Sequence, residues 1–362
     1  MIKRIGVLTS GGDCSGLNAA IRAITLHAIQ HYDCEVFGIL KGTSGLIRRP
    51  MEYIPLTLSN CDQSMLRSAG TILGSTTKEN PFFFPSDDGL KSDRSDDAIA
   101  GYHDLKLDAI IAIGGDGSMR INSKLAKKGG MNLVCIPKTI DNDLAQTDFS
   151  IGYSTAVSVA TEALDRLQPT AASHQRVMIL EVMGRDAGHI ALSAGIAGGA
   201  DVILIPEIPY NLESICQHVQ NISASGRNFS LIIVSEAVKT QGGDSVLRGT
   251  SYNDRPRYGG ISQYLCAELE ARIQADTRFT VLGHVQRGGQ PNAQDRILAT
   301  AFGVKAVDMV FEKNFGKMVI WRNNQVEAVP IESTIDTYNE VDPKGILIKT
   351  AKAMGIYVGE LG

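Results

Sequence analysis

The feature that most constrains this chain is a recurring block. A short, mainly apolar run stops at glycine or a polar cluster, and residues at helical spacing follow. Such runs occupy 5–8, 107–113, 133–136, 177–182, 202–205 and 231–234. Runs without polar alternation suit strands buried on both faces, as in parallel sheets covered by helices. Strands alternating with helices build βαβ units, so the expected class is α/β with two doubly wound, parallel-sheet-rich αβα domains. A length of 362 residues agrees with two domains at roughly 150 residues each. Residues 154–167, STAVSVATEALDRL, read as a helix joining the two halves. Residues 79–97 and 239–258 combine proline, glycine and charge and read as surface loops, whose role the sequence leaves open.

Composition removes several function classes. Lys+Arg is 35 and Asp+Glu is 39, a formal net charge of -4, which argues against a protein that grips nucleic acid by bulk charge. The six cysteines form no CxxC pair, so no zinc ribbon or redox motif is expected. No apolar run reaches about 18 residues and no signal peptide is evident, so the expectation is a cytoplasmic chain without membrane spans.

Ligands of doubly wound sheets sit beyond the carboxyl ends of the strands, so the residues after each run are the candidates. Gly11-Gly12-Asp13-Cys14-Ser15-Gly16 opens a helix and suits either a phosphate cradle or a plain strand–helix turn. It is neither GxGxxG nor a Walker A loop. Gly114-Gly115-Asp116-Gly117-Ser118 adds a carboxylate among glycines, which serves as a Mg²⁺ ligand beside a polyphosphate or as a helix N-cap. Thr139-Ile140-Asp141-Asn142-Asp143 places two carboxylates at a strand end, one fit to take a proton and the other to help place a metal. Arg176, Arg185, Arg278 and Arg287 each adjoin a strand or glycine turn, and arginine suits bidentate capture of a phosphate ester. His284 is a candidate to hydrogen-bond a phosphate, while His189 reads as structural.

Seven segments in this order resemble the 6-phosphofructokinase family: IGVLTSGGD at 5–13, SAGTILGS at 68–75, IGGDGS at 113–118, PKTIDND at 137–143, ASHQR at 172–176, EVMGRDAGH at 181–189 and TVLGHVQRGG at 280–289. The resemblance runs from residue 3 to about 320, broken mainly by the two loops. It implies the phosphofructokinase fold, with a large nucleotide-binding domain of 1–152 plus 286–335. The smaller sugar-phosphate-binding domain is 153–285 plus 336–362, and the active site lies in the cleft between them. The implied reaction is Mg²⁺-dependent transfer of the ATP γ-phosphoryl group to the 1-hydroxyl of fructose 6-phosphate. By motif, Asp141 is the general base, and Gly117 and Lys138 join it around the reacting phosphoryl. Gly12, Thr77, Lys78, Gly115, Asp116, Gly117 and Ser118 correspond to the nucleotide site, with Asp116 on Mg²⁺. Thr139, Ile140, Met183, Gly184, Arg185, Glu236, His284, Val285, Gln286 and Arg287 correspond to sugar-phosphate positions. Arg176 and Arg278 match arginines that the family supplies from a neighbouring subunit, which implies a homotetramer.

Three departures from the family pattern bear on the donor and on regulation. Gly117 is of the ATP-using type and Lys138 of the pyrophosphate-using type, a mixed signature. An Asp at 117 would put charge and bulk where the α-phosphate sits, so Gly117 favours ATP; a pyrophosphate-dependent enzyme is the alternative, and an inactive sugar-phosphate-binding subunit a further one. Thr77 stands where bacterial ATP enzymes carry an arginine, with Lys78 or Lys138 as the replacement cation. Of the bacterial effector pocket, Arg22 is kept but Leu26 replaces a basic residue, so that regulation is not expected.

Overall fold

The computed structural model describes residues 2–85, 90–250, 256–273 and 275–360. Residues 86–89 and 251–255, which belong to the two expected loops, lie outside the described residues. Two compact units emerge: one of 1–140, 144–155 and 287–338, and one of 141–143, 156–286 and 339–362.

The first unit is built on a sheet in the order Gln325–Pro330, Lys317–Arg322, Leu133–Thr139, Ala109–Gly114, Arg4–Thr9, Glu35–Ile39, Tyr53–Leu56. The five inner strands are parallel and the two edge strands antiparallel. Every residue of Ala109–Gly114 is buried, as an apolar run covered on both faces requires. Leu8, Ile110 and Ala112 join one core cluster with Ala98 and Tyr102 of helix Ser95–Asp104 and Met119 and Leu125 of helix Asp116–Gly129. Helices Leu17–Tyr32 and Ala293–Phe311 pack on each other. Asp295, fully buried, accepts hydrogen bonds from Gly152 N, Thr155 N and Thr155 Oγ1 and so fixes the start of the long helix.

The second unit carries four parallel strands in the order Val202–Leu204, Ser230–Ser235, Val177–Val182, Thr277–Val281. Its core joins Val177, Ile179, Val202 and Val234 to helices Leu212–Ala224 and Ile261–Arg272. The α/β class with parallel, doubly wound sheets is the architecture found.

Some boundaries differ from the sequence expectation. The helix expected over 154–167 spans Tyr153–His174 and runs through Pro169. Within 79–97, residues Phe84–Pro85 and Lys91–Ser92 pair as a small ribbon, Phe82 enters the core, and a helix already begins at Ser95. Within 239–258, strands Leu247–Thr250 and Pro256–Tyr258 pair antiparallel. Neither region is merely loop.

Candidate active site

Strand order decides where the site forms. In the first sheet the chain moves from Arg4–Thr9 to Glu35–Ile39 on one side, then returns to Ala109–Gly114 on the other. Ligands of open α/β sheets bind at such a switch point. The turns leaving those two strands are the glycine sequences at 11–12 and 114–117. The second sheet switches between Val177–Val182 and Thr277–Val281, which lead into Met183-Gly184-Arg185 and His284.

In the first unit the two glycine turns meet. Ser10 N donates to Ile113 O at 3.0 Å. Gly11 has φ +86°, and a Cβ there would lie 3.0 Å from Ser118 Oγ and 3.4 Å from Lys138 Nζ. Lys138 is buried and its ammonium donates to the Gly12 carbonyl. A methyl on Gly12 would meet Arg287 Nη1 at 2.1 Å. Arg287 Nη1 in turn donates to Asp13 O at 3.1 Å. Gly12, Ser118, Lys138 and Arg287 therefore surround one small region, where bare backbone and two cations converge. The segment bearing Thr77 and Lys78 is tied in through Gly11 N to Thr76 O at 3.2 Å, and both side chains are exposed. Gly115 precedes helix Asp116–Gly129, whose first residue, Asp116, carries a side chain only 12% exposed. Arg120, one turn on, lies 3.4 Å from the Asp116 carboxylate and also pairs with Asp336. Among the described residues no group of three or more His, Cys, Asp or Glu is arranged to hold a metal.

In the second unit Gly184 has φ +148°, and a Cβ there would stand 2.7 Å from Ala187 O, so this turn needs glycine. Glu236 follows strand Ser230–Ser235 and accepts from Arg185 N at 3.2 Å. Burial pushes the Glu236 carboxyl above its ordinary value, against the backbone bond from Arg185, which lowers it. Gln286 accepts from Met183 N at 2.9 Å while its Nε2 is buried without a hydrogen-bond partner. His284 and Val285 are exposed on the short 3₁₀ turn Gly283–Arg287. Asp141 is buried, as is Ile140 before it, while Thr139 is half-buried.

Two expected site residues stand elsewhere. Arg176 precedes strand Val177–Val182, whereas Met183 follows it, a separation of roughly 20 Å at strand rise. Arg278 pairs in register with Met178 near the same end. Both guanidiniums bind one carboxylate, Asp276. Sequence reasoning missed Asp276, for a lone acidic residue before a strand carries no signal. It also left Glu181 without a role. That residue is buried inside an apolar run and accepts from Gly260 N, Ser262 N and Ser262 Oγ, closing the start of helix Ile261–Arg272.

The family model described as Phosphofructokinase matches residues 4–310. The chain belongs to the phosphofructokinase family. As a phosphofructokinase it is a kinase of glycolysis. It is 56% identical over 358 residues to the ATP-dependent 6-phosphofructokinase 1 of Synechocystis sp., with 99% of both chains covered. Against the ATP-dependent 6-phosphofructokinase of Thermosynechococcus vestitus the identity is 49% over 364 residues, covering 99% of this chain and 93% of that one. The solved phosphofructokinase from Saccharomyces cerevisiae matches with a TM-score of 0.79 at 30% identity, over 91% of this chain. This chain spans 45% of the yeast chain. A pyrophosphate-dependent phosphofructokinase from Nitrosospira multiformis gives a TM-score of 0.80 at 19% identity over 99% of this chain and 93% of that one, a likeness of fold alone.

Proposed function

We infer that this phosphofructokinase transfers the γ-phosphoryl group of ATP to the 1-hydroxyl of fructose 6-phosphate. The observation that carries the donor is 56% identity along the whole of both chains to a protein named ATP-dependent. Gly117 supports it, since glycine leaves room for a nucleotide's α-phosphate.

Phosphoryl transfer asks for positioning and charge neutralisation rather than a covalent nucleophile. The hydroxyl oxygen bonds to the γ-phosphorus, the bond to the departing ADP oxygen breaks, and the Asp141 carboxylate takes the hydroxyl proton. Gly12, Gly115, Gly117 and Ser118 offer backbone and a hydroxyl to the donor phosphates, and Lys138 offsets their charge. The sugar phosphate is assigned to Arg185, Glu236, His284 and Arg287, with Gln286 holding the Met183 turn. Asp116 presents one hard oxygen beside a glycine-lined turn, which fits Mg²⁺, an ion that takes one or two carboxylates and fills its other positions from phosphate and water. When bound, Mg²⁺ neutralises phosphate charge; Asp116 and the nucleotide would hold it. Arg176 and Arg278 are assigned to the sugar phosphate of a neighbouring copy in a homotetramer, in keeping with their distance along the strand from Met183. Six free, buried cysteines suit a cytoplasmic setting.

A coupled assay with fructose 6-phosphate, run with ATP and with pyrophosphate, tests the donor; faster turnover with pyrophosphate overturns it. Asp141→Asn is expected to lower kcat at least about 10²-fold with little change in substrate binding. Near-native kcat in that variant removes Asp141 as the base.

A further inference from the structure

Residues 311–362 lie beyond the stretch matched by the family model, and one of them reaches the segment that follows Asp141. Asn339 Nδ2 donates to the Asn142 carbonyl at 3.0 Å. The Asn339 backbone N–H donates to the Asp143 carbonyl at 2.9 Å. These bonds hold 141–143 within the second unit, although the residues on both sides belong to the first. Asn142 sits at φ +54°, a left-handed conformation that asparagine tolerates and its neighbours must maintain.

The clamp is itself anchored. His189 Nε2 lies 2.7 Å from the Asn339 carbonyl. A carbonyl only accepts, so that nitrogen carries the proton. Two residues on, Val341 N donates to Glu207 Oε1 at 2.9 Å, and the same oxygen accepts from Gly188 N at 2.9 Å. Gly188 and His189 close the EVMGRDAGH segment, so one short turn secures both ends of 339–341.

We propose that Asn339, held by His189, is a positioning residue for Asp141: by gripping the two peptide carbonyls after the base, it fixes where the carboxylate stands. The proposal rests on Asp141 being the base. Proton transfer tolerates little displacement, and an error of about 1 Å costs on the order of 10²-fold. Neither Asn339 nor His189 touches substrate in this assignment, so their effect falls on kcat and leaves both KM values in place.

The test compares Asn339→Ala, the isosteric Asn339→Asp, His189→Leu and His189→Gln, with Asp141→Asn in parallel. Activity is expressed per folded protein, as judged by thermal melting. Asn339→Ala and Asn339→Asp are expected to lower kcat by roughly 10-fold or more, with KM for ATP and fructose 6-phosphate within about 2-fold. Glutamine at 189 keeps an N–H near the place of Nε2, so His189→Gln restores most of the kcat that His189→Leu loses. Should the Asn339 variants not fold, that pair decides: rescue by Gln supports the clamp, and equal kcat in the two overturns it. Unchanged kcat in Asn339→Ala, or a loss that tracks KM, also overturns it. If Asp141→Asn keeps its kcat, the base assignment falls and the clamp's role with it; if Asp141→Asn is inactive while Asn339→Ala is native, only the clamp falls.

Discussion

Replacing Lys138 by methionine keeps the unbranched apolar stem, one atom shorter, and removes the charge together with its hydrogen-bond donors. The ammonium is buried and bound to the Gly12 carbonyl, so it is held in place before any substrate arrives. A cation about 4 Å from a phosphoryl oxygen is worth on the order of 4 kcal/mol at an effective dielectric near 20. Much of that attraction is present in the bound ground state and affects KM. The part that grows as charge shifts during transfer affects kcat, and loss of one preorganised donor typically costs roughly 10²–10³-fold there. Lys138→Met is therefore expected to lower kcat with ATP about 10²-fold and to raise KM for ATP. The Gly12 carbonyl loses a charge-assisted bond worth roughly 1.5–3 kcal/mol, which lowers the melting temperature without unfolding the protein. Kinetics at saturating fructose 6-phosphate, with a melting curve on the same preparation, measure both effects. A variant within about 3-fold of native kcat would refute the reasoning, because the cation would then serve the fold alone.

Glu236→Gln carries a pH signature. The folded protein holds the Glu236 carboxyl above its ordinary value, so ionising it costs stability as pH rises through the normal carboxylate range to the raised value. Glutamine removes that cost: the variant is expected to melt higher than the native protein above this window and equally at low pH, while its KM for fructose 6-phosphate rises; a pH-independent difference contradicts the assignment. Mixing Arg278→Ala with Asp141→Asn subunits is expected to regain activity as some sites recover both residues, and verified exchange without recovery counts against sites shared between copies.

How far the sequence revealed these features depended on whether the cause was local. Strand Val177–Val182 is legible to the residue because only a single charge, Glu181, interrupts its apolar run, and that carboxylate is hydrogen-bonded where the sequence cannot show it. Helix Tyr153–His174 outran its expected end because Pro169 reads as a stop. Proline withdraws a single N–H from the helical ladder, and the helix continues past it. The glycine turns were legible as motifs. The contact of Lys138 with Gly12, 126 residues apart, exists only once the strands are ordered. Asn339 and Asp276 gave no sign at all, since each acts through two or three polar contacts, most of them to distant partners, and neither lies in a patterned segment.

The arginines divide by what holds them. Arg287 is held by a neutral carbonyl, that of Asp13, and among the described residues it makes no ion pair. Its Nε is buried without a hydrogen-bond partner. A guanidinium so placed keeps its whole charge and carries an unmet donor, a cost of roughly 1–3 kcal/mol that an arriving phosphate oxygen can recover. Gly12 makes the arrangement possible, since any Cβ there would drive the guanidinium away. Arg176 and Arg278 are in the opposite condition. They share the Asp276 carboxylate, so a phosphate approaching them competes with a charge already in place. The Asp276 charge lowers the attraction of the two guanidiniums for stray anions. A sugar phosphate must bring contacts from elsewhere to outbid it. On the proposed assignment, Arg287 would bind through charge held in readiness, whereas Arg176 and Arg278 would bind only what is presented to them already oriented.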